Sequence, residues 1–385
     1  MGPLDGVRVL ELAGLGAAPF GCMLLADLGA EVVRVERAGA ASRAVAGDDA
    51  GRAEADPRSY VPHRGRRSVA LDLKSTAGRD ALLQLVGKSD VLVEAYRPGV
   101  AERLGLGPEQ CLDRNRRLVY ARMTGWGQTG PLASTAGHDI NYIAVAGALD
   151  NFRRAGERPL PPVNIVGDMG GGGMLLAFGI AAALVHVART GQGQVVDAAM
   201  VDGAALQLAT LLGMRAQGRW PHPPGNNAFD TGAPSYEVYE CADGGHVAVG
   251  AIEEPFWAEF QRLLDLPEGV LPSRRDPADW PRGKEVLADV FRTRTRDEWT
   301  ELFTGSDACV SPVLGLDEAH VHPQAVARNA FVEIGGVIQP APAPRFSNTP
   351  TGTPAPPPIP GADTEAVLLS WGVSPADVAA LAISP

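Results

Sequence analysis

Short runs of β-branched residues and leucine alternate with stretches whose apolar positions recur at helical spacing through the first half of the chain. Val7 to Leu12, Glu31 to Glu36, Ser68 to Leu73, Asp90 to Ala95, Leu118 to Thr124 and Gln194 to Met200 read as strands. Phe20 to Leu28, Met174 to Val187 and Val201 to Gln217 read as helices, the second of them buried. Strands and helices in alternation predict an α/β architecture. After a loop rich in Pro, Gly and Asn, Arg219 to Pro234, the rhythm changes. Tyr236 to Cys241 and His246 to Ile252 flank Ala242-Asp243-Gly244-Gly245, a hairpin signal. Glu253 and Glu254 open a helix carrying Phe256, Trp257 and Phe260; helices at Glu285 to Arg292 and Asp297 to Phe303 and a strand at Ala308 to Leu314 follow. Proline dominates Gln339 to Gly361, predicting an extended strap before a last helix, Thr364 to Leu369.

One stretch, Gly137 to Gly173, concentrates titratable groups at probable element ends. Ile140, Ile143, Ala144 and Leu149 place a helix start at His138-Asp139, where free backbone N–H groups suit a developing negative charge. Asp168 follows a strand-like run, Val163 to Val166, and precedes Gly170 to Gly173, a run that would let a large ligand approach the backbone. From residue types alone, an acid/base pair and a pair of ordinary element caps are equally good readings.

The composition narrows the classes. With 45% hydrophobic and 21% charged residues, 385 residues can bury a large core in two domains or one large unit with an insertion. A net charge of -11 argues against nucleic acid as a partner. Cys22, Cys111, Cys241 and Cys309 are too scattered for a metal knuckle or disulfide framework. The N-terminal residues lack a secretory pattern, Ala382 to Pro385 is not a Ser-Lys-Leu address, and Met174 to Val187 falls short of a membrane span, so the expectation is a cytoplasmic protein without a membrane partner. Gly14-Leu15-Gly16 imitates a dinucleotide fingerprint, with Glu36 at the ribose position, but Pro19 stands at the third glycine. No Gly-x-Ser-x-Gly elbow occurs, and His320 with His322 is too few ligands for a metal.

Cations then gather at strand ends, where open α/β sheets bind ligands. The basic run His63-Arg64-Gly65-Arg66-Arg67 precedes one strand and Lys74 ends it; Arg37 ends another; Arg97 and Arg103 follow a third. In an acidic protein this suggests several phosphates, against the alternative of scattered surface charges.

The chain resembles the family III coenzyme A transferases, in their α-methylacyl-CoA racemase branch. Pro3 to Leu12, Asp27 to Glu36, Glu94 to Val100, Thr124 to Gln128, Gly137 to Tyr142 and Val195 to Gly203 carry the resemblance over nearly the whole chain, and Gly137-His138-Asp139-Ile140-Asn141-Tyr142 is its racemase-specific part. The resemblance implies a Rossmann-like large α/β domain (residues 1–217), a linker (218–230), a small α+β domain (231–330) and a Pro-rich return with a C-terminal helix rejoining the large domain (331–385). It also implies an interlocked homodimer. The implied reaction moves a proton at the carbon α to a thioester, interconverting R and S 2-methylacyl-CoA. His138 supported by Glu253 would serve one face and Asp168 the other, with the Asp139 backbone N–H stabilising an enolate. Arg37, Lys74, Arg97 and Arg103 match the coenzyme A phosphate and adenine positions, and Leu71, Leu73 and Tyr142 would line the path. No metal or further cofactor is implied, coenzyme A being part of the substrate. Ala95 departs from the glycine common in relatives, and Glu254 competes with Glu253 for the supporting role. A family III CoA transferase using Asp168 as covalent nucleophile is the rival reading. The acyl chain and the function of the polar stretch Ala40 to Ser59 are not specified by the sequence.

Overall fold

The computed structural model describes residues 2–39 and 56–381. The chain forms two compact units, one of Met1–Ala146, Val163–Gln207 and Pro323–Pro385, the other of Gly147–Pro162 and Leu208–His322. Most of the polar stretch Ala40 to Ser59 lies outside the described residues.

In the first unit the strands of the main sheet are β1 (Arg8–Leu12), β2 (Glu31–Arg37), β3 (Arg66–Leu71), β4 (Val91–Glu94), β5 (Val119–Thr124) and β6 (Gln194–Ala199). They pair in parallel in the order β3-β2-β1-β4-β5-β6. The order reverses between β1 and β4, and that reversal opens a crevice at the strands' C-terminal ends. Among its helices are α1 (Ala17–Asp27), α2 (Thr76–Val86), α3 (Asp139–Val145), α4 (Leu175–Thr190) and α5 (Met200–Leu206). Strand alternation feeds both faces of the sheet. Leu10, Val33, Leu92 and Tyr120 pack with Leu82 and Leu85 of α2, whereas Val9, Val32, Val91 and Val119 pack with Cys22 of α1 and Ile180 of α4. Sheets buried on both faces need such near-continuous apolar strands.

Two expectations about local structure change. Val163 to Val166 is not a strand: Val163 and Asn164 have left-handed φ values of 42° and 61°, and a π-helical stretch, Ile165–Met174, runs directly into α4. The glycine run lies inside that stretch and serves helix packing. A Cβ on Gly171 would meet the Ala204 nitrogen at 2.7 Å, and one on Gly173 would meet Phe20 at 2.6 Å, so α1 and α5 approach this segment at backbone distance. The continuous helix Ile165–Thr190 is then long and apolar enough to cross a membrane, unlike the shorter segment expected from sequence. It packs along α1, β5 and β6. Met174, Phe178 and Val185 form an exposed apolar stripe on its outer side, Phe178 being 72% exposed.

A buried polar network ties the strands together. The fully buried Glu11 carboxylate on β1 accepts from Arg34 of β2 and, at 2.5 Å, from Arg66 Nε of β3. Arg34 reaches on to Glu36 at 2.6 Å and to the Gly14 carbonyl at 3.2 Å. Burial alone would raise the Glu11 pKa, but Arg66 and Arg34 hold it below the ordinary carboxylate value. Arg64 is likewise buried, against Asp27 at 2.5 Å and Gln339 at 3.0 Å. The basic run before β3 is therefore structural in Arg64 and Arg66.

The Pro-rich return runs from the hairpin β10 (Phe331–Ile334) and β11 (Val337–Pro340) to the outer edge of β3. There Asp363 accepts from the Ser68 N–H at 2.8 Å and Thr364 Oγ1 from the Ala70 N–H at 3.0 Å, capping an edge strand that would otherwise stand open. The helix Thr364–Ser370 then adds Val367 and Leu368 to the core.

The second unit is α+β. Antiparallel β7 (Glu237–Glu240), β8 (His246–Val249) and β9 (Val310–Pro312) pack with α6 (Glu254–Leu264), α7 (Trp280–Phe291) and α8 (Arg296–Phe303) around Trp257, Phe260, Phe291 and Trp299. It begins at Leu208, takes in Gly147–Pro162 and ends at His322, so the boundaries expected at 231 and 330 shift. Residues 218–230 are part of it and not a free linker. The Asp230 carboxylate accepts from the N–H groups of Gly225 (2.8 Å) and Asn227 (2.6 Å), and Asn227 is itself buried.

Replacing Glu11 by Gln removes the charge between two buried guanidinium groups. We expect a loss of about 3–5 kcal/mol of unfolding free energy, read from urea unfolding monitored by tryptophan fluorescence. Wild-type stability would mean that the network does not hold the strands.

Candidate active site

The crevice at the strand reversal is floored by the loop after β1. Arg34 anchors the Gly14 carbonyl at 3.2 Å, the Ala13 N–H donates to Val35 O at 3.0 Å, and the Ala95 methyl would meet a Cβ on Gly14 at 3.0 Å. Gly16, with φ 66°, turns the chain into α1 so closely that its own Cβ would lie 3.2 Å from Asp168 Oδ2. The dinucleotide reading of this loop loses its acid, because Glu36 is engaged by Arg34.

Asp168 stands in the first turn of the π-helical stretch and is half-buried. Its N–H donates to Asp139 Oδ2 at 2.7 Å, and Asn164 Nδ2 donates to its Oδ2 at 3.2 Å. Burial, then the neighbouring Asp139 charge, raises its pKa; the Asn164 hydrogen bond and His138 oppose that rise. His138 is thus near enough to act on Asp168 electrostatically. It is the exposed N-cap of α3, its backbone N–H bonded to Asn141 Oδ1 at 3.0 Å.

Asp139 follows as the first helical residue, so its N–H has no intrahelical acceptor. Its carboxylate is buried, and Oδ1 has no hydrogen-bond partner among the described residues. Only the absence of a side chain at Gly167 allows this approach, since a Cβ there would be 2.5 Å from Asp139 Oδ2. Sequence reasoning named Asp139 for its backbone alone and missed the carboxylate that tunes Asp168. It also missed Asn164, whose only sequence signal is a residue type that tolerates the left-handed φ it takes here.

The expected phosphate-binding cations do share one end of the sheet. Arg37 ends β2, Lys74 follows β3, and Arg97 and Arg103 follow β4; all four side chains are exposed, and none has an acidic partner among the described residues. The corner carrying the last two is braced from beneath. Buried Glu94 accepts from Arg122 Nε at 2.8 Å and from the Tyr96 N–H at 2.7 Å, and Arg122 also reaches Glu102 at 2.9 Å. The apolar path differs in part from expectation. Leu71 is 2% exposed and belongs to the core, so its side chain offers no surface to a ligand; Leu73 is partly exposed. Tyr142 is buried edge-on against Trp126 at 4.8 Å, with its hydroxyl donating to Gly137 O.

Glu253 lies in the second unit, as the exposed N-cap of α6. The neighbouring Glu254 is held by Arg274 at 3.0 Å and Arg275 at 2.7 Å, while the Glu253 carboxylate has no partner among the described residues. Of the two glutamates, Glu253 is the one free for chemistry.

Comparison with known proteins decides the lineage. The family model for CoA-transferase family III matches residues 4–364. This chain belongs to that family. Among its family III relatives are the alpha-methylacyl-CoA racemases of Mus musculus, 44% identical over 377 residues, and of Homo sapiens, 42% identical over 379 residues. The alignments cover 97% and 96% of this chain and 95% and 94% of those proteins. A crystal structure of a CAIB/BAIF family protein from Brucella suis superposes with a TM-score of 0.81 at 26% identity, covering 96% of this chain and 99% of that one. The parallel sheet with its flanking helices is the architecture of that family.

In this family III chain, Asp139→Asn keeps an acceptor for the Asp168 N–H but removes the charge. The Asp168 pKa should then fall, moving the corresponding limb of the kcat/KM pH profile to lower pH. An unmoved limb would show that Asp139 does not set the ionisation of Asp168.

Proposed function

We propose that this protein is a racemase interconverting the R and S forms of 2-methylacyl-CoA thioesters. One group removes the α-proton from one face of the acyl chain, the carbonyl oxygen carries the charge as an enolate, and a second group returns a proton to the opposite face. His138 and Asp168 are the two groups. One must be deprotonated and the other protonated before each turnover, and they exchange states across it. The observation that carries this reading is their meeting at one end of the sheet with the Asp168 pKa raised by burial, because a carboxyl group that holds its proton more readily is more available in the protonated form that returns a proton to the enolate. The N–H of Asp139, which has no intrahelical acceptor, supplies enolate stabilisation, and Glu253 supports the imidazolium of His138 across the homodimer.

The full-length similarity to two racemases supports the reaction class. Arg37, Lys74, Arg97 and Arg103, exposed beside the crevice, suit the phosphates of coenzyme A. The working form is an interlocked homodimer, a reading supported by the apolar stripe of Met174, Phe178 and Val185, since a helix apolar on every side is ordinarily buried.

The transferase reading shares Asp168, as the carboxylate that would attack the thioester, but it has no use for His138. Purified protein incubated with one enantiomer of a 2-methylacyl-CoA and no carboxylate acceptor should yield both enantiomers. His138→Ala should lower that rate by about a hundredfold or more. Transfer of CoA to an added carboxylate, unaffected by His138→Ala and without racemisation in the wild type, would overturn the proposal.

A further inference from the structure

The turn bearing Glu253 is clamped on either side of that residue, whose carboxylate has no partner among the described residues. Arg274 Nη1 donates to the Ile252 carbonyl at 2.6 Å, and Nη2 donates to the Glu254 carboxylate at 3.0 Å. Its guanidinium carbon lies 5.5 Å from the centre of the Trp257 ring, one turn into α6. The Arg274 backbone is itself fixed, its carbonyl accepting from Trp280 Nε1 at 2.7 Å. On the strand side the Gly250 N–H donates to the Cys309 carbonyl at 2.9 Å, with Cys309 in a left-handed conformation at φ 53°. Residues 250, 252 and 254 are each tied down, and the Glu253 side chain between them projects into solvent.

We infer that Arg274 is a positioning residue for Glu253, an inference that rests on the supporting role proposed for that glutamate. The planar guanidinium fork holds the carbonyl and the carboxylate in a fixed mutual geometry, which the rotatable ammonium of a lysine would hold less rigidly. A purely stabilising contact would not need this arrangement. Exposed ion pairs contribute little, and Arg274 leaves its buried Nε without a hydrogen-bond partner among the described residues. What the fork achieves is orientation: it fixes both peptide neighbours of a side chain that would otherwise move freely at an exposed helix end.

The test is a mutant cycle on the full-length protein, with kcat and KM read from α-deuterium exchange into a 2-methylacyl-CoA in deuterated water. Arg274→Gln should lower kcat by roughly ten- to a hundredfold with KM changed less than about twofold. Arg274→Lys, the milder variant should the first not fold, should recover part of kcat and stay below wild type. In the Glu253→Gln background, Arg274→Gln should add no further loss. Arg262→Gln, which breaks an exposed pair with Glu259 on the same helix, should leave kcat unchanged. Wild-type kcat in folded Arg274→Gln or Arg274→Lys would overturn the inference, as would an Arg274→Gln effect undiminished by Glu253→Gln. Wild-type kcat in Glu253→Gln alone would overturn the role of Glu253 and the inference together.

Discussion

A carboxylate with no water around it sets the terms for the large unit. Glu11 sits at zero exposure in the central strand, and two guanidinium groups from the next two strands converge on it. Burying three charges is costly unless each finds its partners. Here Arg34 carries the bonding on to the Gly14 carbonyl, and Arg66 to the carbonyls of Pro62 and Pro19. The same network that keeps the charges satisfied therefore fixes both ends of the loop flooring the crevice. Gly16 can press against Asp168 because Gly14 and Pro19 are held.

The chemistry inherits this rigidity. Asp168 is placed by three separate elements: the loop after β1 at Gly16, the α3 terminus through Asp139, and Asn164 at the start of its own helix. Close helix packing at Gly171 and Gly173 sets how deep its segment lies, and that depth is the largest cause of its raised pKa. A mutation that swells the glycine run would reach Asp168 without touching a ligand.

Much of this was legible in the sequence, for identifiable reasons. The six parallel strands announced themselves as β-branched runs because both sheet faces are buried, and the helix start at His138-Asp139 because helix starts have a local signature. Asp168's surroundings were not legible. Val163 to Val166 looks like a strand, but Asn164 takes a left-handed turn, and the glycines beyond it are required by Phe20 and Ala204, which are distant in sequence. Arg64 and Arg66 read as ligand-binding cations because nothing local shows that Asp27 and Glu11 wait for them. Leu71 looked like a ligand contact by motif, and its side chain turned to the core. Likewise the choice between Glu253 and Glu254 depended on Arg274 and Arg275, some twenty residues later in the chain.

The proposed reaction places His138 and Asp168 on opposite faces of an enolate, one removing the α-proton and the other delivering a different proton. Its most direct measurement is the isotopic content of each enantiomer formed from a single-handed 2-methylacyl-CoA in deuterated water. Every molecule of inverted product should carry one solvent deuteron at the α-carbon from the earliest time points. Inverted product that retains the original proton, or no inversion at all while the thioester exchanges with added carboxylates, would contradict it.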